Sequence, residues 1–355
     1  MGFSSTMQIY SSVFVNNKPA NLSIKVWRSK NRLGCRTCNA KERAMITDIK
    51  GLHHVTSMAA DAATNNAFFT DTLGMRRVKK TVNFDAPDVY HLYYGDEVGT
   101  PGSVMTYFPF GRMPVGQRGA GEVGTTEFAV PKGSLSFWQS HLEQKGVTGL
   151  SEGRAFGENR LAFDGPDGDG FALVESEERG RAPWTEGGVP SDAGILGFRG
   201  ARFALRNTDA TAELLGFMGY QKDETDGAVT RFRIEGGNAA DTIDLEEVSS
   251  GAPTANQGAG SVHHIAFAVE DREAQLRVRK ALMDTGYQVT PVIDRDYFWA
   301  IYFRTPGGVL FEIATNEPGF DRDEDTAHLG EALKLPTRYE PHREKIEALL
   351  PPIAA

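Results

Sequence analysis

Cysteine is nearly missing from this chain. Its 355 residues include two, Cys35 and Cys38, both in the stretch GCRTC near the start. From residue 46 onward there is none, which excludes disulfides and thiolate ligands there. Any metal site in that part has to be built from His, Asp or Glu. The lone CxxC lacks a strand–helix setting and a second pair, so it makes neither a redox nor a zinc motif by itself. Long apolar runs are also missing. None approaches the roughly 18–20 residues that a membrane-spanning helix needs. Acids are scarce in the first 45 positions, where eight Lys or Arg face Glu42 alone. The remainder holds 30 basic and 46 acidic residues, a net charge of about −16. An acidic body does not suit nucleic acid, whose binding rests on phosphate neutralisation. Small molecules are the expected partners, with no nucleic acid and no membrane.

Residues 1–45 read as a basic extension without packed structure. The alternatives are a flexible tail, a segment upstream of a true start at Met45, and a targeting peptide, since such peptides are basic and poor in acids. The MGFSST start fits the myristoylation pattern, but that pattern is short and the match is read as chance. The expected location is the cytoplasm, or an organelle if the extension directs it there.

What is abundant past residue 46 is repetition. Each of four units opens with a strand, continues with an amphipathic helix and ends in several strands. The units begin at IKGLHHVTSMA, TTEFAVP, FRGARFALRN and SVHHIAFAVED. Asp209, Ser134 and Asp271 are expected helix caps. Gly74, Gly146, Gly219 and Gly286 stand where a left-handed residue ends a helix. A Gly- and Pro-rich linker, residues 181–197, divides the units into pairs. The expected fold class is α+β, four βαβββ modules paired into two domains. The domains are residues 46–180 and 198–320, followed by a C-terminal tail, 321–355. Curved sheets of this kind enclose a cleft, where chemistry is to be sought.

Four of the eight histidines stand in two doublets, LHHVT and VHHIA, at equivalent positions of the first and fourth modules. Strand alternation puts His54 and Thr56 on one face and His53 on the other. It likewise opposes His264 to His263. In VLFEIA, Glu312 lies inside an apolar run, where an unpartnered carboxylate costs several kcal/mol. A metal would offset that cost. Two imidazoles and one carboxylate form a facial triad that leaves coordination positions open. The pattern does not separate iron from zinc, manganese or nickel.

At these residues the chain resembles the vicinal-oxygen-chelate superfamily of glyoxalases, bleomycin-resistance proteins and extradiol dioxygenases. It is more narrowly similar to ring-cleaving dioxygenases of the 2,6-dichlorohydroquinone 1,2-dioxygenase type. The similarity runs from about Ile46 to Pro352 and includes GLHHVT, YHLYYGDEVGTPGSVMTYFPF, SVHHIAFAV, IYFRTPGGVLFEIAT and LGEALKLPTRYEPHREKIEALLPP. It implies a mononuclear Fe(II), one per chain, held by His54, His264 and Glu312. It implies His53, Thr56, His263, Arg295 and Tyr302 as residues around the metal and substrate. His263 or His53 would handle protons, and Tyr302 and Arg295 would bind the substrate oxygen. It further implies an aromatic diol and O2 as substrates, and allows a homo-oligomer. His91 in YHLYY reads as either cleft-lining or structural. A Zn or Ni glyoxalase-like lyase or isomerase is one competing reading. A non-catalytic binding or resistance protein of the same fold is another.

Overall fold

A computed structural model describes residues 45–177 and 179–353. Cys35, Cys38 and the basic extension lie outside the described residues. The first module comprises β1 (Leu52–Ala59), α1 (Ala62–Ala67), β2 (Arg76–Asn83), β3 (Ala86–Gly95) and β4 (Val104–Pro109). The second has β5 (Glu122–Pro131), α2 (Leu135–Gln144), β6 (Ser151–Ala155), β7 (Glu158–Asp164) and β8 (Gly170–Ser176). The third has β9 (Phe198–Leu205), α3 (Asp209–Phe217), β10 (Gln221–Asp226), β11 (Val229–Arg233) and β12 (Thr242–Glu247). The fourth has β13 (Val262–Val269), α4 (Arg272–Asp284), β14 (Ile293–Asp294), β15 (Phe298–Arg304) and β16 (Leu310–Pro318).

The helices follow from local chemistry. Asp61 and Asp271 cap α1 and α4 by accepting from the amides of Thr64 and Ala274. Ser134 and Asp209 do not cap as expected. The Ser134 hydroxyl donates to the Pro131 carbonyl instead, and Asp209 is already the first residue of its helix. Gly74, Gly146, Gly219 and Gly286 all adopt positive φ. Ala274, Val278 and Leu282 form the buried stripe of α4 at a four-residue spacing. Trp138 and Leu142 do the same for α2, each side chain worth about 1.5–3 kcal/mol of burial.

The strands form two eight-stranded sheets, ordered β14-β15-β16-β13-β1-β4-β3-β2 and β10-β11-β12-β9-β5-β8-β7-β6. The first sheet therefore joins modules one and four, and the second joins modules two and three. Their seams are the antiparallel pairs β1–β13 and β5–β9. The connectors between modules bridge each other at Val115↔Ala259, Gln117↔Asn256 and Ala120↔Thr254.

The tail is packed against the first sheet. Leu333 bridges to Lys80, Arg77 Nε donates to the Gly330 carbonyl, and Tyr339 donates to the Phe84 carbonyl. A Cβ at residue 330 would collide with the Arg77 carbonyl oxygen, so only glycine lets the two backbones meet. Lys79, fully buried on β2, is held by Asp323 and Glu324 of the tail and lies over the Tyr297 ring.

The inner face of the second sheet is filled with charge. Arg231 makes two parallel hydrogen bonds to Asp244, at 2.9 and 3.0 Å, and a third to Glu158. Arg160 binds Glu127, and Arg199 binds Glu158 and Thr242. Removing one partner from such a cluster leaves an uncompensated buried charge. Asp244→Ala is expected to cost about 3–5 kcal/mol in urea unfolding. A loss below about 1 kcal/mol would show that the pair is not a structural element.

Candidate metal centre

The site is built on the seam of the first sheet. Register places one row of residues on its inner face: Tyr93↔Thr106, Thr106↔Thr56 and Thr56↔His264. A second row is His54↔Ala266, Ala266↔Glu312 and Glu312↔Tyr302. His54, His264 and Glu312 thus come from β1, β13 and β16 onto one face, all buried. The Nε2 atoms of His54 and His264 are 3.4 Å apart. Glu312 Oε2 is 2.9 Å from His264 Nε2 and 3.5 Å from His54 Nε2.

These distances suit a common ion. Donors about 2.1 Å from one metal and at right angles lie about 3.0 Å apart, opening to about 3.4 Å at tetrahedral angles. Neither oxygen of Glu312 receives a well-directed hydrogen bond, although the side chain has no exposure. Burial opposes its charge, yet the imidazoles of His54 and His264 hold it well below the usual carboxylate range. A buried carboxylate facing two imidazole nitrogens, with its oxygens unspent, is a cation site. The three residues can bind a metal ion.

Both doublets carry a feature that strict alternation does not provide. The pairing steps from Leu52↔Phe267 directly to His54↔Ala266, which leaves His53 as an extra residue. It steps from Thr56↔His264 to Ser57↔Val262, which leaves His263 as another. These bulges re-aim the rings. The Nδ1 atoms of His53 and His54 meet at 2.9 Å, and those of His263 and His264 at 2.8 Å. His53 Nε2 reaches the Thr315 carbonyl at 3.1 Å. The carbonyl can only accept, so the network assigns the proton of His53 to Nε2. His53 Nδ1 then accepts from His54 Nδ1–H, and His54 Nε2 keeps its lone pair for a metal. The same tautomer logic leaves His264 Nε2 bare when its Nδ1–H donates to His263.

The remaining expected residues gather around this centre. Thr56 is fully buried on the metal face, and its hydroxyl contacts Thr106 at 2.9 Å. The Tyr302 ring packs edge-on against His264, centroids 5.6 Å apart. Arg295 donates to the Tyr302 oxygen at 3.2 Å and pairs with Asp85, rather than with its neighbours Asp294 and Asp296. Burial keeps the Tyr302 phenol protonated by pushing its pKa up. His53 and His263 are each lowered to about 3, chiefly by burial and then by the adjacent His54 or His264. Phe298 packs at a tilt beside His53 and His54, and Phe108 meets His263 edge to face. Sequence reasoning left His91 undecided. It lies on this face too, bonded to Tyr93 and Thr106. It passed over Lys79, whose only signal was a charge inside a buried strand.

The sequence model of the Glyoxalase/Bleomycin resistance protein/Dioxygenase superfamily matches residues 51–313. The chain belongs to that superfamily. It is 44% identical over 303 residues to the Bacillus subtilis protein named "Putative ring-cleaving dioxygenase MhqO", covering 85% of this chain and 96% of that one. It is 36% identical over 307 residues to the chlorohydroquinone/hydroquinone 1,2-dioxygenase of Sphingobium indicum, covering 84% and 95%. The crystal structure of a Bacillus subtilis protein described as a "putative dioxygenase" superposes with a TM-score of 0.83 at 43% identity, covering 86% of this chain and 98% of that one. No helix among the described residues is long and apolar enough to cross a membrane.

Two outcomes are expected. After dialysis against Fe(II) under nitrogen, His264→Ala and Glu312→Gln retain no stoichiometric metal by elemental analysis, and His53→Phe binds about 10–100-fold more weakly. In the metal-free protein, His53 takes up a proton on unfolding between pH 6.5 and about 3, so its contribution to stability is intact above pH 6.5 and falls as the pH drops. The slope is about 1.4 kcal/mol per pH unit for this one group. His53→Asn should flatten the acid limb of a plot of Tm against pH, and an unchanged limb would remove His53 as its source.

Proposed function

We propose that the protein is an Fe(II)-dependent ring-cleaving dioxygenase acting on hydroquinone-type or catechol-type aromatic diols with O2. The observation that carries this reading is the buried His54, His264 and Glu312 triad at the base of a face lined by Thr56, His91, Phe108 and Tyr302. The relatives named for ring cleavage and for hydroquinone support the substrate class.

Iron held by the triad would supply the electron transfer that lets a singlet diol react with triplet dioxygen. The protein's own residues would do the rest. The Phe108 and Tyr302 rings would offer the aromatic substrate apolar surface to pack against. Tyr302, a protonated phenol, and the Arg295 guanidinium would hydrogen-bond the substrate oxygen and stabilise charge that develops on it. The Asp85 carboxylate orients that guanidinium. Of the two candidate proton carriers, His53 has both ring nitrogens engaged by protein. His263 bonds to His264 through Nδ1 only, which leaves Nε2 to hold a proton toward the substrate. His53 would act on the metal through the orientation of His54.

The test is oxygen uptake by the Fe(II)-loaded protein with hydroquinone, chlorohydroquinone and catechol. Diol-dependent uptake with ring-opened product is expected. Tyr302→Phe should lower kcat/KM about 100-fold, the usual loss for one donor to a developing oxyanion. Turnover of a thiol–aldehyde adduct by the Zn- or Ni-loaded protein, without diol-dependent oxygen uptake, would replace this reading with a lyase.

A further inference from the structure

Beside the metal ligands, the first sheet carries a hydrogen-bonded chain that no ligand role uses. The Tyr93 hydroxyl meets His91 Nδ1 at 2.8 Å. His91 Nε2 meets the Thr106 hydroxyl at 2.8 Å. The Thr106 hydroxyl meets that of Thr56 at 2.9 Å. All four residues are buried, with His91 the most exposed at 9%. Thr56 is the end paired with His264, directly opposite it across the seam.

A chain of this kind has two possible directions, and its surroundings choose one. If Thr56 donated first, each hydrogen would pass toward Tyr93, and the buried phenol would need another acceptor. Around it lie the rings of Tyr297 and Phe320 and the side chains of Tyr302, Arg295, Glu312 and Asp296, but among the described residues its hydroxyl is hydrogen-bonded to His91 alone. An unmade buried hydrogen bond costs about 1–3 kcal/mol. In the opposite direction Tyr93 donates to His91 Nδ1, His91 Nε2–H donates to Thr106, and Thr106 donates to Thr56. The one unspent hydrogen then sits on Thr56, on the face where the substrate binds. Burial keeps the Tyr93 phenol protonated and the His91 ring neutral, as this direction requires.

We propose that His91 is a positioning residue: acting through Thr106, it fixes the Thr56 hydroxyl as a hydrogen-bond donor, so that the site selects substrates presenting an acceptor oxygen, a phenolate or carbonyl, at Thr56. The substrate half of this proposal rests on the diol dioxygenase reading. The direction of the chain does not.

Two measurements test it. Nitrogen-15 NMR of histidine-labelled, metal-free full-length protein reads the His91 tautomer, assigned by loss of the signal in His91→Gln. The Nε2–H form is expected, giving way to a mixture in Tyr93→Phe, which keeps the ring and removes the donor. An Nδ1–H tautomer in the wild type would overturn the proposal. The second measurement is anaerobic hydroquinone binding to Fe(II)-loaded wild type, His91→Phe, Thr56→Val and the double variant. Each single change should weaken binding about tenfold, a typical loss for one hydrogen bond. The double variant should stay within about twofold of Thr56→Val, because neighbours in one network are not additive. Equal losses from His91→Phe in both backgrounds would make its role merely structural and sink the proposal. A wild type that binds no diol would sink the functional reading and the substrate half with it, while the tautomer still decides the direction.

Discussion

The antiparallel seam between β1 and β13 is the constraint on which the site depends. It joins residues 210 positions apart in sequence and sets His54 and His264 on one face with their Nε2 atoms 3.4 Å apart. The parallel partner β16 then delivers Glu312 beside them. None of the three would be tolerable alone. A carboxylate without exposure carries a desolvation cost of several kcal/mol. The fold therefore builds a place that could hold a metal ion, and two bulges set a second imidazole behind His54 and behind His264.

The two sheets show what duplication allows. They share strand order and seam, yet their inner faces solve the burial problem in opposite ways. In the second, Glu127, Glu158 and Asp244 are matched by the guanidinium groups of Arg160, Arg199 and Arg231. In the first, the Glu312 carboxylate faces the imidazoles of His54 and His264 instead of a guanidinium, and the three together could hold a metal ion. The tail adds a further support by fastening the β2 edge through Lys79, Asp323 and Glu324.

Much of this was legible in the sequence. The doublets and the acid inside an apolar strand pointed to a metal site, because such residues are costly in a core unless they are used; the family resemblance implied His54, His264 and Glu312, and the fold brings those three together. The four modules showed in strand and helix periodicity. Other features were not legible for physical reasons. A bulge is a property of register between two strands, so alternation along one strand placed His53 and His263 on the far face. The in-sheet pairing of module one with four and two with three is a long-range choice that no local pattern encodes. Ser134 and Asp209 had the chemistry of caps, but backbone geometry gave their oxygens other roles. His91 looked ordinary in YHLYY because its meaning lies in Thr106 and Tyr93, which only folding brings to it.

The central proposal is that His54, His264 and Glu312 together hold one iron. Crystals grown anaerobically from Fe(II)-loaded protein, measured on both sides of the iron absorption edge, address it directly. The account predicts a single anomalous peak about 2.0–2.2 Å from His54 Nε2, His264 Nε2 and a Glu312 oxygen, with the other ring nitrogens still bonded to His53 and His263. A peak elsewhere in the molecule, or one missing any of these three ligands, would contradict it.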